Sequence, residues 1–158
     1  DSVTGLYNRM GYQKLSISYF TIMREKKMPV LVMFIDLDRL KYINDTFGHE
    51  YGDFAIVSIA KAMLKHCDAD AIAARTGGDE FIVLEGAKDE ESGRVLAQKI
   101  RTELSKTQRA MQLPFDLSAS IGVVVAHPGE ENVLESYVKR AEMLMYEEKA
   151  EKKVSRDS

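Results

Sequence analysis

Two short stretches of the chain put carboxylates where a folded protein must account for them. In the first, the apolar run Val30-Leu31-Val32-Met33-Phe34-Ile35 leads directly into Asp36-Leu37-Asp38. In the second, Gly77-Gly78 precedes Asp79-Glu80-Phe81 and then Ile82, Val83 and Leu84. If the two apolar runs are neighbouring strands, Asp36 and Asp79 converge at one end of a sheet. Like charges at such range repel, and burial adds a desolvation cost. A hard divalent cation removes that conflict, and Mg²⁺ suits a site of few carboxylates plus substrate phosphates. Acids at strand ends and in hairpins also occur as plain solvated turn residues, and spacing alone leaves both readings open.

Between these acids lies a second constellation, Lys41-Tyr42-Ile43-Asn44-Asp45-Thr46-Phe47-Gly48-His49-Glu50-Tyr51-Gly52-Asp53. Asn44 and Asp53 are an amide and a carboxylate flanking a glycine-bearing turn. Guanine offers N1–H and N2–H₂ donors to a carboxylate and acceptors to an amide, so the pair suits a purine. Equally, Asn44-Asp45 can end one helix and Asp53 can cap the next. His66 and His127 share no metal-ligand spacing with Cys67 or with each other, and read as surface or loop residues. The methionines, Met143 and Met145 among them, read as core filling. The basic residues Lys149, Lys152, Lys153 and Arg156 alternate with acids and, Lys149 and Lys153 apart, read as a solvated helix face. Asp1 and Arg9 are placed to pair across the opening turn.

The elements that must position these groups follow from periodicity. Residues 8–27 read as a helix with Tyr12, Leu15, Tyr19, Ile22 and Met23 on one stripe, ended by Pro29. Residues 30–36 form a continuous β-branched run, as in a strand buried on both faces. A short helix over 37–47 is closed by Gly48, and a longer one covers 52–66 with Ile56, Ile59, Ala60, Met63 and Leu64 inward. Strands at 69–75 and 80–84 join through Gly77-Gly78, where paired glycines suggest positive φ in a tight hairpin. An acidic loop at 86–92, a helix over 93–106, a strand at 115–126 and a last helix over 133–153 complete the chain. In that last helix Leu134, Tyr137, Val138, Ala141, Leu144 and Met145 are expected inward. Setting aside the opening helix, the order matches an α+β, ferredoxin-like βαββαβ sheet with packed helices.

At 158 residues the chain is one domain, 1–158. Its 45% hydrophobic and 30% charged residues exclude a disordered or fibrous chain. A formal charge of −3 leaves no basic footprint for nucleic acid. A phosphorylated small substrate stays compatible, because a bound cation supplies positive charge locally. The single cysteine, Cys67, forms no intramolecular disulfide and needs no oxidising compartment. The apolar run at 30–35 is far short of the roughly 20 residues of a membrane span, and no signal peptide is visible. The expectation is a cytoplasmic domain without membrane contact, excised from the C-terminal part of a longer signalling protein.

Taken together these stretches resemble the GGDEF family of diguanylate cyclases over nearly the whole chain. Gly77-Gly78-Asp79-Glu80-Phe81 is the family signature letter for letter. Asp1-Ser2-Val3-Thr4-Gly5-Leu6-Tyr7-Asn8-Arg9 is similar to its opening motif, with Val3 where leucine is usual. Asp36-Leu37-Asp38-Arg39-Leu40-Lys41, followed by Asn44-Asp45, Gly48-His49 and Gly52-Asp53, is similar to its nucleotide segment, with Leu40 replacing phenylalanine. Ser120-Ile121-Gly122-Val123 matches a later strand, and Tyr146 with Lys149 matches the closing helix.

The resemblance implies a fold related to the nucleotidyl cyclase and polymerase palm. It implies that Asp36, the Leu37 carbonyl and Asp79 hold Mg²⁺, with Mn²⁺ as a substitute, and that Asp79 and Glu80 are catalytic. Asn44, His49 and Asp53 would contact the nucleotide, backbone amides from Leu37 to Leu40 would meet phosphates, and Lys149 and Lys153 would supply positive charge. The implied reaction condenses two GTP into cyclic di-GMP and pyrophosphate in a homodimer, under an upstream sensory or regulatory domain. The alternative is a weak or inactive relative that binds GTP or cyclic dinucleotide as a regulatory module. Two departures stand out. The family's Arg-x-x-Asp product-inhibition motif falls on Asp68 and Ala71, so feedback through it is expected to be absent. Its Gly-Arg-Asn after the closing lysine is replaced by Lys152-Lys153-Val154, which loses arginine's bidentate fork.

Overall fold

The computed structural model describes residues 1–157. Helix α1 (Arg9–Glu25) precedes β1 (Val30–Leu37), α2 (Leu40–Phe47), α3 (His49–His66) and β2 (Ile72–Arg75). Then follow β3 (Glu80–Gly86), α4 (Glu90–Ala110), β4 (Ala119–Ala126) and α5 (Leu134–Asp157). The strands make one antiparallel sheet in the order β2-β3-β1-β4. With α1 set aside this is the expected βαββαβ arrangement, with β1 and β3 central. No helix among the described residues is long and apolar enough to cross a membrane.

Alternation along β1 divides the core. Leu31, Met33, Ile35 and Leu37 face Ile59 and Met63 of α3 and Ile100 of α4. Val30, Val32 and Phe34 face Phe20 and Met23 of α1 and Tyr137, Ala141 and Met145 of α5. Both faces are covered, so every residue of β1 is buried, as its unbroken apolar run requires. The same parity carries Asp36 onto the α1/α5 face.

The helices use narrower stripes than expected. In α1 the buried residues are Ser16, Phe20 and Met23, whereas Leu15 and Ile22 are exposed. Leu64, Met143 and Leu144 are also exposed, while Met145 is fully buried. Each helix covers only one side of the sheet, which leaves apolar residues at the flank of its stripe in water.

The turn from β2 to β3 also differs from the expectation. Neither Gly77 nor Gly78 has a positive φ. The strands join through residues 76–79, closed by Thr76 N–H to the Glu80 carbonyl at 3.0 Å and by the Arg75 guanidinium on the Gly78 carbonyl at 2.9 Å. This wider loop needs no left-handed residue. Space is what matters at Gly77, where a Cβ would lie 3.2 Å from the Glu80 carboxylate. Asp1 pairs with Arg75 at 3.4 Å rather than with Arg9, whose Nε donates to the Thr76 carbonyl.

Strand β4 is an edge, and α5 closes it. A Cβ at Gly122 would fall 1.9 Å from the Ala141 carbonyl, so glycine there lets helix and strand touch. Glu148 accepts the outward Ile121 N–H at 3.1 Å and a guanidinium N–H of Arg101 at 2.9 Å, and Arg101 also donates to the Ala119 carbonyl. Edge groups open to another chain are thereby occupied. Burial pushes the Glu148 carboxyl up, but Arg101 and the Ile121 N–H more than offset this and hold it below the usual glutamate range. Its stabilising contribution is present above the unfolded-state value of about 4.3 and is lost as pH falls through the lower folded-state value. Glu148→Gln should therefore lower stability by about 1 kcal/mol at pH 7. In urea titrations the gap to wild type should close below about pH 4; a gap independent of pH would contradict this account.

Candidate functional site

Strand register builds the carboxylate cluster. Asp36 stands opposite Glu80 on β3 and Ser120 on β4. One residue on, the Leu37 N–H donates to the Asp79 carbonyl at 2.9 Å, extending the ladder past the end of β3. Carboxylate oxygens of Asp36, Asp79 and Glu80 consequently lie within 4.8 Å of one another. Asp36 is buried, at 6% exposed, while Asp79 and Glu80 are half-buried at the mouth.

Asp36 Oδ1 is buried and accepts no hydrogen bond, although Lys149 Nζ of α5 stands 3.3 Å away as an ion pair. Burial pushes the Asp36 carboxyl up to about 7; the Lys149 ammonium opposes the shift and the Asp79 carboxylate adds to it. Burial, then Asp79 and Glu142, likewise raise Glu80. A buried carboxylate oxygen without a hydrogen bond, beside two further carboxylates, is a donor set for a hard divalent cation. The Leu37 carbonyl lies at the same end, 3.4 Å from Lys149 Nζ. Asp36, Asp79 and that carbonyl fit such an ion, with Glu80 alongside.

Asp79 also borders an open cleft lined by Leu40, Lys41, Asn44, Asp45, His49 and Gly78. The cleft is therefore continuous with the cluster. Nothing lies within 4 Å of where a Gly78 Cβ would sit, so the signature loop leaves this side open. The Asn44 amide rests on Gly52, where a Cβ would fall 1.7 Å from its Oδ1. Neither Asn44 nor Asp53 caps a helix. Gly48, at φ 102°, ends α2 and starts α3 at once, and Asp53 lies beyond the first turn of α3. Asp53 is therefore not an N-cap, while Asn44 lies in the last turn of α2, where its carbonyl accepts the Gly48 N–H at 3.0 Å. Asp53 and His49 are exposed, Asn44 half-buried.

Two of the expected phosphate-binding amides are already engaged. The Leu37 N–H goes to Asp79 and the Asp38 N–H to the Ser118 carbonyl, both at 2.9 Å. They continue the sheet, which leaves Arg39 and Leu40, at the start of α2, without intrahelical acceptors. Lys153 is exposed, and among the described residues it makes no hydrogen bond or ion pair with the cluster. Lys152, expected on a solvated face, is instead drawn inward. Its Nζ meets Asp38 Oδ2 at 2.6 Å and the Ala119 carbonyl at 2.8 Å. Asp38, 5% exposed, also accepts the Ser118 and Ser120 hydroxyls at 2.7 Å each. Charge patterning along the sequence misses this anchor, though strand parity carries its signal: Asp36, Asp38, Ser118 and Ser120 share one face.

The family model described as "Diguanylate cyclase, GGDEF domain" matches residues 1–155. Diguanylate cyclase VdcA of Vibrio cholerae is 35% identical over 153 residues, covering 94% of this chain and 43% of VdcA. Diguanylate cyclase DgcP of Escherichia coli is 32% identical over 156 residues, covering 96% of this chain and 45% of DgcP. The chain thus spans less than half the length of these curated relatives. The crystal structure of the GGDEF domain of DgcB from Caulobacter crescentus in complex with c-di-GMP is similar at a TM-score of 0.78. It is 25% identical, with 95% of this chain and 89% of that one covered.

The charge conflict at Asp36 has a measurable sign. Its folded-state pKa is raised, so stability present below about pH 4 is lost as pH climbs toward about 7 in metal-free protein. Asp36→Asn should flatten that loss, so that in chelator at pH 8 the variant melts higher than wild type. Mn²⁺ should raise the melting temperature of wild type by several degrees and leave the variant nearly unmoved. A variant less stable than wild type in chelator at pH 8 would overturn the assignment.

Proposed function

The chain belongs to the GGDEF domain family of diguanylate cyclases, and from that premise we propose that it condenses two GTP molecules into cyclic di-GMP. The observation that carries the reading is the convergence of Asp36, Asp79 and Glu80 oxygens within 4.8 Å, at the end of a cleft lined by Asn44 and His49. A carboxylate cluster alone would serve many reactions. Asn44 on the wall of the cleft, with Asp53 exposed next to the Gly52 on which the Asn44 amide rests, favours a nucleotide carrying phosphates as substrate.

In this reading the Asp36 and Asp79 carboxylates and the Leu37 carbonyl hold Mg²⁺, and Mn²⁺ suits the same oxygens. When bound, the ion lowers the pKa of the attacking hydroxyl and offsets charge on the leaving group. Asn44 and Asp53 read the guanine edge, with His49 at the rim. The free amides of Arg39 and Leu40 meet phosphate oxygens, and Lys149 opposes their charge. Lys153, exposed on α5, joins only once a triphosphate extends outward to it.

The ribose 3′-oxygen of one GTP attacks the α-phosphorus of the other. The new phosphorus–oxygen bond forms in line with the bond to pyrophosphate, which breaks. Asp79 and Glu80 border the point of attack and are the carboxylates available to take the hydroxyl proton. Two such steps, one from each side, close the ring and release two pyrophosphates. Each domain offers one nucleotide cleft, so the reaction requires two copies face to face. A regulatory domain elsewhere in a longer cytoplasmic protein would set how often they meet.

A second reading has one observation in its favour. Helix α5 carries Lys152, Lys153 and Val154 where the family resemblance leads to Gly-Arg-Asn, so arginine's bidentate fork is missing there. In that reading the domain binds GTP or a cyclic dinucleotide and signals without turnover.

Incubation with GTP and Mg²⁺, followed by chromatography for cyclic di-GMP and pyrophosphate, separates the two. The domain should be assayed at high concentration and as a fusion to a dimerising coiled coil. Product is expected, with Asp79→Ala lowering turnover by roughly 10²–10³-fold. GTP uptake without product in the forced dimer would support the regulatory module instead. Gly52→Ala offers a separate check on the base-reading end. Its methyl displaces the Asn44 amide, so KM for GTP should rise about tenfold, one hydrogen bond's worth, with kcat less affected. An unchanged KM would remove Asn44 from the nucleotide site.

A further inference from the structure

Ammonium groups and oxygens compete at the end of β1, and their distances are unequal. Lys149 Nζ lies 3.3 Å from Asp36 Oδ1, 3.4 Å from the Leu37 carbonyl and 3.6 Å from Asp38 Oδ1. It therefore sits between two acids, one a proposed metal ligand and the other not. Lys152, one turn along α5, holds Asp38 Oδ2 at 2.6 Å and the Ala119 carbonyl at 2.8 Å, with Glu148 at 3.5 Å. Arg101 in turn holds Glu148, so Lys152 is part of the same charged network that caps the edge of β4.

We propose that Lys152 is a positioning residue for Lys149: by neutralising Asp38 it keeps the Lys149 ammonium directed at the Asp36 and Leu37 oxygens, where substrate phosphates and a divalent cation must be received. The coupling between the two lysines is electrostatic. Asp38 is buried and Lys152 is its nearest cation, at 2.6 Å, so removal of Lys152 leaves the Asp38 carboxylate short of a counter-charge. Lys149 is the ammonium within reach of it, already 3.6 Å from Asp38 Oδ1. A small rotation of its side chain would transfer it to Asp38 and withdraw it from Asp36. Asp38 itself does not touch the cleft and acts only through the lysines. Lys149 thus has two roles of opposite sign. It competes with a metal ion for Asp36, and it attracts a nucleotide's phosphates. Lys152 sets the balance between them.

This inference rests on the nucleotide and metal reading of the site, and the test separates the two. Mn²⁺ binding without nucleotide is followed by electron paramagnetic resonance. Binding of a GTP analogue with a methylene between its α- and β-phosphates is followed by calorimetry in Mg²⁺. In Lys152→Met, which keeps the aliphatic stem, Mn²⁺ should bind about fivefold tighter and the analogue about fivefold weaker. Lys152→Arg should resemble wild type, because it keeps a cation on Asp38. In an Asp38→Asn background, Lys152→Met should change neither affinity, since no charge remains to recapture Lys149. A domain merely loosened by the substitution would lose both affinities together, and that result would overturn the proposal. So would an effect of Lys152→Met that persists in the Asp38→Asn background. Should wild type take up neither Mn²⁺ nor the analogue, the functional reading itself fails.

Discussion

Two carboxylates stand two residues apart at the buried end of β1, on the same face, and water reaches neither freely. Their surroundings differ in a way that separates an anchor from a site. Asp38 accepts two serine hydroxyls and the Lys152 ammonium. Burial pushes its carboxyl up, but these partners more than offset the effect and hold it below the usual aspartate range. Asp36 has a single ammonium beside it, an Asp79 carboxylate opposing it and one oxygen without a hydrogen bond. Satisfied, the first acid fixes α5 against the sheet. The second is relieved only in part by Lys149, and a proton or a metal ion would relieve it further.

Helix α5 supplies the counter-charge, and its seat depends on a contact that no side chain would permit. The Gly122 backbone lies against the Ala141 carbonyl, and Tyr137, Ala141 and Met145 fill the face beneath. Lys149 and Lys152 follow three residues apart, so one helical turn delivers both ammoniums to the strand end. Displacing the helix by a fraction of its pitch would move both lysines at once. Hydrophobic packing at one end of α5 thus sets electrostatics at the other, and the Arg101–Glu148 pair holds the register between them.

Much of this is legible in the sequence because it follows from periods of two and 3.6 residues. The run at 30–35 marks the central strand, and the switch from apolar to acidic at Asp36 marks the end where the carboxylates gather. Asn44 and Asp53 are legible as a pair but not as a site, since helix caps use the same residues. The start of α3 at His49 shows that Asp53 is not its N-cap. Lys152 is misjudged because charge alternation describes a helix surface in isolation, whereas its burial depends on Asp38 and Ala119 from distant parts of the chain. The Gly77-Gly78 turn is misread for a related reason. Paired glycines signal either backbone freedom or room, and the choice lies in the Glu80 carboxylate packed beneath Gly77.

The two halves of the site are held by different parts of the molecule. The carboxylates sit on strand ends fixed by ladder hydrogen bonds, where side-chain position follows from register with little freedom. Asn44, His49 and Asp53, the residues proposed to read the base, sit around the corner of α2 and α3, which turns at Gly48. An aromatic cluster of Phe47, Tyr51 and Phe115 packs beside that corner, with Phe47 and Phe115 5.4 Å apart between ring centres. Asp79 borders both the cluster of carboxylates and the cleft. Its loop is short, pinned by Arg75 at the Gly78 carbonyl and by Leu37 N–H at its own carbonyl. A group shared by two separately supported halves must be fixed from both sides, or the distance between the carboxylate cluster and the cleft would drift. That requirement explains why the signature loop is tied down by backbone hydrogen bonds and yet kept bare at Gly78, where a side chain would stand in the cleft.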